Sequence, residues 1–239
     1  MSYIILNGKS SNTVQGLIIS QLPPISKPKK RVGRDEIDGR DGDVITDLGY
    51  SAYDKTLEIG LAGNYNIDEV IKYFNSQGTV TFSNEPDKYY KYNIIEQIDF
   101  DRLVRFRVAK VVLHVQPFKY NKNEETQVLN ITSETQVSVA NIGNTIAKPI
   151  ITFQGEGTIN VSLNNQQLLV VNLNSVEEGQ EKDYIVIDFE KMEAYTLNVL
   201  RNRQVTGNYD LFNLSVGTNT ISWTGGLTKI EISNFSRWI

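Results

Sequence analysis

The chain of 239 residues contains no cysteine and a single histidine, His114. Without cysteine it can form no disulfide framework and no thiolate zinc site, and it has no cysteine nucleophile. His114 lies in a segment that alternates apolar and polar residues, which favours a hydrogen-bonded strand histidine over a catalytic base. The usual residues of a catalytic triad or a transition-metal site are therefore missing, and we expect no metal, no cofactor and no enzymatic activity.

Long apolar runs are also missing. The first twenty residues have no basic n-region, and their apolar runs at Ile4–Leu6 and residues 17–19 are too short for a signal peptide or a membrane span. The sequence thus predicts a protein that is made and kept in a cytoplasm, without membrane insertion.

The chain has no surplus of positive charge. Its net charge is −4, with 16 basic against 15 acidic residues up to Tyr120 and 8 against 13 after it. Neither half carries the positive field that neutralisation of phosphates needs, so nucleic acid is not an expected partner.

Short segments that alternate apolar and polar residues recur along most of the chain, separated by Gly, Asn, Asp and Pro. This pattern predicts a mainly β protein of the α+β class. The first strands are expected to form a hairpin that pairs residues 3–6 with residues 14–19. The long stretch 103–116 is predicted to be one strand, with a β-bulge at Ala109-Lys110 because its apolar positions change parity there.

One helix interrupts the strands. Asn66 can cap it, Glu69 completes a capping box, and Gly78 is expected to end it. Its apolar stripe, spaced as a helix requires, consists of Ile67, Val70, Ile71 and Phe74.

We expect two domains, residues 1–120 and 121–239. The polar run 121–125 follows Tyr120 and marks the boundary. The second half has short strands at the spacing of a β-sandwich. Its acidic residues include Glu177, Glu178, Asp183 and Asp188, and a carboxylate pair among them could hydrolyse glycosides. Solvated loop residues are the more common explanation of such a run.

Residues 27–47 mix both signs of charge densely. Asp38 and Asp41, around Gly39, are three residues apart, whereas EF-hand ligands recur every second residue with one glycine at the sixth position, so a calcium loop is not predicted. Two interpretations remain open: a solvated flexible loop, or an arm whose charges meet opposite charges on a neighbouring copy. For the second we expect inter-subunit contacts from Arg34, Asp38, Arg40 and Asp41.

Tyrosine and tryptophan are enriched both in protein interfaces and where sugars stack. Trp223 and Tyr209 are the candidates for stacking a glycan. Two functions are therefore considered. One is assembly through contacts between copies, and the alternative is a carbohydrate-binding module that recognises host cell-wall glycans.

The order of these elements resembles the distal tail proteins of siphophages that infect Gram-positive bacteria. The amino-terminal half contributes the short hairpin, Gly-Arg-Asp-Gly at residues 39–42, the helix, and a long strand that ends in Gln-Pro-Phe-Lys-Tyr at 116–120. The carboxy-terminal half contributes Ile-Asp-Phe at 187–189, residues 192–196, Leu-Phe-Asn-Leu at 211–214, Val-Gly-Thr-Asn at 216–219 with Ile221, and Phe-Ser-Arg-Trp-Ile at 235–239.

That resemblance implies a structural virion protein at the tail tip, assembled in the bacterial host cytoplasm. The first domain would form a homohexameric ring at the end of the tail tube, and the second would be a galectin-like or carbohydrate-module-like β-sandwich that projects outward. The implied partners are the tail tube protein, the tail-associated fibre or lysin, and receptor-binding or baseplate proteins. Reversal of Arg34 and Arg40 to Glu is then expected to weaken ring assembly and leave the monomer folded.

Overall fold

The computed structural model describes residues 2–74, 77–177, 179–197 and 199–239. The chain divides into two compact units, the first running to Lys122 and the second spanning Asn123–Trp238. Both are built mainly from antiparallel strands, which confirms the predicted fold class. Among the described residues, no helix has the length and apolar character needed to cross a bilayer.

The first unit combines one large sheet, a separate two-stranded ribbon and two short helices. Its elements are β1 (Ile4–Leu6), β2 (Lys9–Ser10), β3 (Leu17–Gln21), β4 (Lys30–Glu36), β5 (Asp43–Tyr50), β6 (Tyr53–Leu61), α1 (Ile67–Tyr73), β7 (Gln77–Phe82), β8 (Lys88–Asn93), α2 (Phe100–Phe106) and β9 (Val108–Asn121). The large sheet has the order β2-β1-β7-β8-β9-β6-β3, and among the described strands β4 pairs with β5 alone.

The predicted amino-terminal hairpin is wrong. β1 pairs with β2 and β7, whereas β3 pairs with β6 through contacts such as Leu17 opposite Leu61. The Asn7-Gly8 turn therefore joins β1 to the two residues of β2 only. Asn7 instead ties β1 to β7, because its side chain accepts a hydrogen bond from the Thr79 backbone N–H at 2.8 Å.

Helix α1 begins as predicted. Asn66 accepts a hydrogen bond from the Asp68 backbone N–H at 3.1 Å and so caps the first turn. The helix ends at Tyr73, earlier than expected, and Gly78 lies inside β7 at φ +150°, where any Cβ would collide with the Asn7 side chain. The buried face also differs from the prediction, since Tyr73 is buried and Ile71 is exposed.

The predicted strand over 103–116 is wrong in its first part. Residues up to Phe106 belong to α2, which Asp99 caps by accepting the Arg102 backbone N–H at 2.8 Å and which ends at Arg107 in the left-handed conformation, φ 59°. The pairing of β6 with β9 runs without a break from Val115 to Val108. No β-bulge at Ala109 is needed, because the change of parity comes from the end of the helix.

The second unit is a β-sandwich. Its strands are β10 (Gln127–Asn130), β11 (Gln136–Asn141), β12 (Ile150–Leu163), β13 (Gln166–Leu173), β14 (Asp183–Asp188), β15 (Glu193–Thr196), β16 (Val199–Leu200), β17 (Val205–Gly207) and β18 (Gly217–Ser233). The short strand β19 (Arg237–Trp238) follows them in the chain and is not part of the sandwich. One layer has the order β10-β18-β12-β14-β15-β16. In the other, β11 pairs with β18, β13 pairs with β12, and β17 pairs with β13.

Strands β12 and β18 take part in both layers. Residues 150–155 of β12 pair with β14, and residues 157–163 pair with β13. The register against β18 shifts at this change, where Gly155 lies against Gly226 so closely that a Cβ would strike the Gly226 carbonyl. Glycine therefore permits both long strands to pass from one layer to the other. One continuous apolar core fills the space between the layers.

Candidate interaction site

The charged segment folds as a two-stranded ribbon, here called the arm (residues 30–50). The register places Val32 opposite Asp47, Arg34 opposite Ile45 and Glu36 opposite Asp43. The ribbon closes through a turn of residues 37–42, in which the Arg40 N–H donates to the Ile37 carbonyl at 3.1 Å. The charged segment is therefore a two-stranded hairpin and not an irregular loop.

All residues of the arm are exposed or half-buried. Its exposed residues include three large apolar side chains, Ile37, Ile45 and Leu48. An isolated two-stranded hairpin is marginally stable in water and needs a further surface to pack against. The arm thus has the character of an element that is completed by a partner.

Ion pairs hold the two strands of the arm together. Lys30 Nζ lies 2.8 Å from Asp47 Oδ2, and Arg34 Nε lies 3.9 Å from Asp43 Oδ2. The hydrogen bond between Lys30 and Asp47 raises the pKa of the lysine and lowers that of the aspartate. Both side chains are exposed, so their pairing fixes the register more than it stabilises the fold.

The four residues predicted for inter-subunit contact all lie on the arm. Arg34 belongs to β4, and Asp38, Arg40 and Asp41 lie in the turn. The structure brings them together on one exposed hairpin, but it does not test their contact with a second copy. That contact stays a prediction.

The first unit contains a buried charged cluster that sequence reasoning missed. It is here called the anchor cluster and consists of Lys55, Glu85, Tyr90 and Lys119. Glu85 accepts from Lys119 Nζ at 2.7 Å and from the Tyr90 hydroxyl at 2.6 Å. Lys55 Nζ lies 5.0 Å from the centre of the Tyr90 ring. Burial with mutual pairing is the only arrangement in which such charges are tolerated in a core.

The anchor cluster and its neighbours hold the segment that leads into the arm. Lys55 Nζ donates to the Pro24 carbonyl at 2.9 Å, and the Tyr53 hydroxyl donates to the Ser26 carbonyl at 3.3 Å. Asn84 donates to the Pro23 carbonyl at 3.1 Å. Three side chains from the folded body thus fix the backbone of residues 23–26, and with it the point from which the arm begins.

The sequence did contain a signal that Lys55 is buried. It occupies an alternate position of β6 together with Leu57 and Ile59, both of which are fully buried. Side chains at alternate strand positions point to the same face, so a lysine in this series is buried and must find partners.

Burial lowers the pKa of Lys55 from its ordinary 10.5 to about 8; Glu85 opposes this shift and Lys119 adds to it. Between these values the unfolded chain binds a proton that the folded chain has lost, so this group makes stability rise with pH. We expect Lys55→Met to lack this rise, with a difference of about 2 kcal/mol accumulating between about pH 7 and 9.5.

Urea unfolding of both proteins across that range measures the difference. The conservative variant Lys55→Arg is the control, because an arginine stays charged throughout and should also lose the rise. Parallel pH profiles for the wild type and Lys55→Met would contradict the expectation.

The second unit does not offer the predicted sugar platform. Trp223 is only 4% exposed and packs in the sandwich core, so neither face of its ring is open to a glycan. Tyr209 is half-buried and packs against Phe189, with ring centres 6.0 Å apart. The stacking roles assigned to Trp223 and Tyr209 are thus corrected: both rings serve packing.

Of the carboxylates considered for glycoside hydrolysis, Asp183 and Asp188 have structural roles, and Glu177 is exposed. Asp183 forms a two-pronged ion pair with Arg201, with both oxygen–nitrogen distances at 2.6 Å, and this hydrogen bonding lowers its pKa. Asp188 accepts from the N–H groups of Glu190 and Lys191 and so forms a turn. Glu178 lies outside the described residues. With its pKa lowered, Asp183 does not resemble a general acid, which needs a raised pKa.

His114 has a partner, as the sequence predicted. Its Nδ1 lies 2.7 Å from Asp54 Oδ1, across the β6–β9 ladder in which the two residues are directly opposite. Within the described part of the chain, no three His, Cys, Asp or Glu side chains come close enough together to hold a metal ion.

The two-unit, mostly β architecture is similar in fold to solved chains of a phage hub and a phage baseplate. The Dit protein of phage SPP1, described as a hub of the adsorption apparatus in phages that infect Gram-positive bacteria, matches with a TM-score of 0.62 and 15% identity over 100% of both chains. A chain of the phage P2 baseplate in its activated conformation with Ca matches with a TM-score of 0.51 and 8% identity, over 100% of this chain and 98% of that one.

The same baseplate with Sr gives a TM-score of 0.51 and 9% identity over 97% of each chain. No protein-family model matches the sequence, and neither does the sequence of any curated protein. The likeness therefore lies in the fold, which covers both units.

Proposed function

We propose that this chain is a structural protein of a phage tail, and that it forms a ring-shaped hub between the distal end of the tail tube and the baseplate or tail tip. The observation that carries the proposal is the structural match to the SPP1 Dit hub over the whole of both chains. The arm supports it, because an exposed ribbon with apolar side chains suits a contact between copies.

In this proposal, residues 1–120 form a homohexameric ring, and residues 121–239 face outward as the peripheral domain. The tail tube protein lies on one side of the ring and the tail-associated fibre or lysin on the other, with receptor-binding or baseplate proteins around it. The protein resides in the virion tail tip, is assembled in the host cytoplasm and catalyses no reaction. Carbohydrate binding is not proposed, because Trp223 is buried in the core and Tyr209 packs against Phe189.

Light scattering on a size-exclusion peak, with negative-stain images of the same fraction, tests the ring. The monomer mass is 27.0 kDa, and we expect a closed ring of about six copies, because head-to-tail contacts of this kind close by rotation. A protein that remains monomeric at all concentrations would contradict the proposed ring.

The double reversal Arg34→Glu with Arg40→Glu is expected to shift this ring toward monomers. The glutamate at position 34 would then face the carboxylate of Asp43, and all charged side chains of the turn would be acidic. Like charges across a hairpin are destabilising, so the ribbon should open while the two cores stay folded. Sedimentation velocity measures the shift, circular dichroism checks the fold, and an unchanged oligomer mass refutes the prediction.

A further inference from the structure

The outer part of the arm is strongly acidic. Residues 35–43, here called the arm tip, contain five acidic side chains and one basic side chain, whereas residues 27–34 contain five basic side chains and no acidic one. Of the five carboxylates, Asp43 pairs with Arg34 at 3.9 Å, and the other four have no ion pair within the described residues. Ile37 lies among these carboxylates and is 50% exposed.

The first unit also carries a basic surface with an apolar centre. Residues 102–110, here called the α2 platform, contain four basic side chains and no acidic one. They are Arg102, Arg105, Arg107 and Lys110, all exposed. Phe106 lies between them and is 69% exposed. Leu103 is fully buried beneath it and fixes the platform to the core.

Within one copy, the cations of the platform make only surface contacts. Arg105 pairs with Asp101 at 3.0 Å, and Lys110 pairs with Glu58 at 3.9 Å. The guanidinium groups of Arg102 and Arg107 lie over the rings of Phe106 and Tyr65. Exposed pairs of this kind are weak and are readily exchanged for a partner with higher charge density.

Beside the platform lies a concavity of about 520 Å³ with an apolar floor. Val108 and Ala109 form the floor, and the polar rim consists of Arg102, Lys110, Glu58, Gln97 and Asp99. The two acidic rim residues are already engaged, since Glu58 faces Lys110 and Asp99 caps α2. The space is large enough for an isoleucine side chain flanked by carboxylates.

We propose that the acidic arm tip of one copy docks on the α2 platform of a second copy, with Ile37 over the concavity and the tip carboxylates against the platform cations. The inference rests on the proposed ring. A head-to-tail ring needs two different, complementary patches on every copy. The tip and the platform are complementary in charge, and each presents an exposed apolar side chain for burial in the contact.

Charge reversal on each side, and then on both sides together, tests this contact. One variant carries Asp38→Lys and Asp41→Lys, another carries Arg102→Glu and Arg105→Glu, and the third combines all four changes. Each double reversal is expected to raise the dissociation constant of the oligomer at least about tenfold, since like charges then face each other. The combined variant restores opposite charges and the wild-type net charge, and should recover to within about threefold.

Sedimentation velocity over a concentration series gives the constants, and circular dichroism verifies the fold of each variant. Wild-type association should also weaken between about 0.05 and about 0.5 M NaCl, because salt screens exposed charges. The control is Arg203→Glu, which changes an exposed charge in the second unit and should leave assembly unchanged.

The outcomes separate the two proposals. If the wild type forms an oligomer that both double reversals retain, or if the combined variant is no better than either, the docking of tip on platform is wrong and the ring stands. If the wild type stays monomeric throughout, the ring proposal and this contact fall together.

Discussion

Replacement of Glu85 by alanine is expected to destabilise the first unit by about 3–5 kcal/mol, the typical cost of removing one partner of a buried ion pair. Glu85 is the only carboxylate of the anchor cluster, where it accepts from Lys119 at 2.7 Å and from the Tyr90 hydroxyl at 2.6 Å. Its loss leaves Lys119 without a counter-charge and removes the carboxylate that accepts from the Tyr90 hydroxyl. Lys55, 3% exposed, also loses the charge that supports its protonated form.

Trp223 makes this effect measurable by unit in a Trp238→Phe background, because Trp223 is buried in the core of the second unit. In urea at pH 7, circular dichroism should show an earlier transition in Glu85→Ala, while the change in tryptophan fluorescence keeps its midpoint. Glu85→Gln separates charge from volume: it fills the same space, and we expect it to lose nearly as much stability.

The matched control is Glu58→Ala, which removes a partially exposed carboxylate 3.9 Å from Lys110. Such pairs contribute less than about 1 kcal/mol. The double variant Glu85→Leu with Lys119→Met should recover part of the loss, since apolar residues can replace a buried pair at little cost. Equal stability of Glu85→Ala and the Glu58 control would show that the anchor cluster contributes nothing.

Local signals in the sequence predicted the elements that are stabilised by local contacts. Helix α1 begins at Asn66 because an amide side chain followed by acidic residues satisfies free backbone N–H groups, and this requires nothing beyond one turn. The β class likewise follows from alternation along each strand. Both features could be read without knowledge of the strands' partners.

Features set by tertiary pairing could not be read in this way. Val104 and Phe106 alternate with arginines and imitate a strand, yet they lie on α2, where Leu103 alone is buried. Seven residues are too few for helical periodicity to prevail over that pattern. The hairpin between β1 and β3 failed for a similar reason: β3 finds its partner in β6, some forty residues later.

The sequence indicated the charged segment but not its secondary structure. The density of opposite charges in residues 27–47 indicated an interaction segment, and the structure shows a hairpin there. The prediction that Trp223 stacks a glycan is wrong because this residue shares a face of β18 with Asn219 and Ile221. These two residues, at alternate positions of the strand, are also buried. The alternation in that strand points the tryptophan inward.

Removal of the outer arm is expected to abolish ring formation while both cores remain folded. Val32 and Asp47 face each other in the register, so residues 33–46 can be replaced by Asn-Gly, a pair that closes a two-residue hairpin turn. The deletion removes the tip and Ile45 but keeps Lys30 paired with Asp47 and the anchor cluster intact. Light scattering should then give the monomer mass, with an unchanged urea midpoint.

A milder variant distinguishes the loss of apolar contacts between copies from the effect of shortening the chain. Ile45→Thr with Leu48→Thr keeps residues that favour strands but removes two exposed apolar side chains from the arm. If neighbouring copies bury these side chains, the ring should weaken at least about tenfold, since each buried aliphatic group contributes about 1.5 kcal/mol or more.

Val199→Thr with Leu200→Thr removes a similar exposed apolar area from β16 in the second unit and should leave the ring intact. A ring that survives the deletion would move the contact between copies to another surface of the first unit, and equal weakening by both threonine pairs would mean that the arm has no special role.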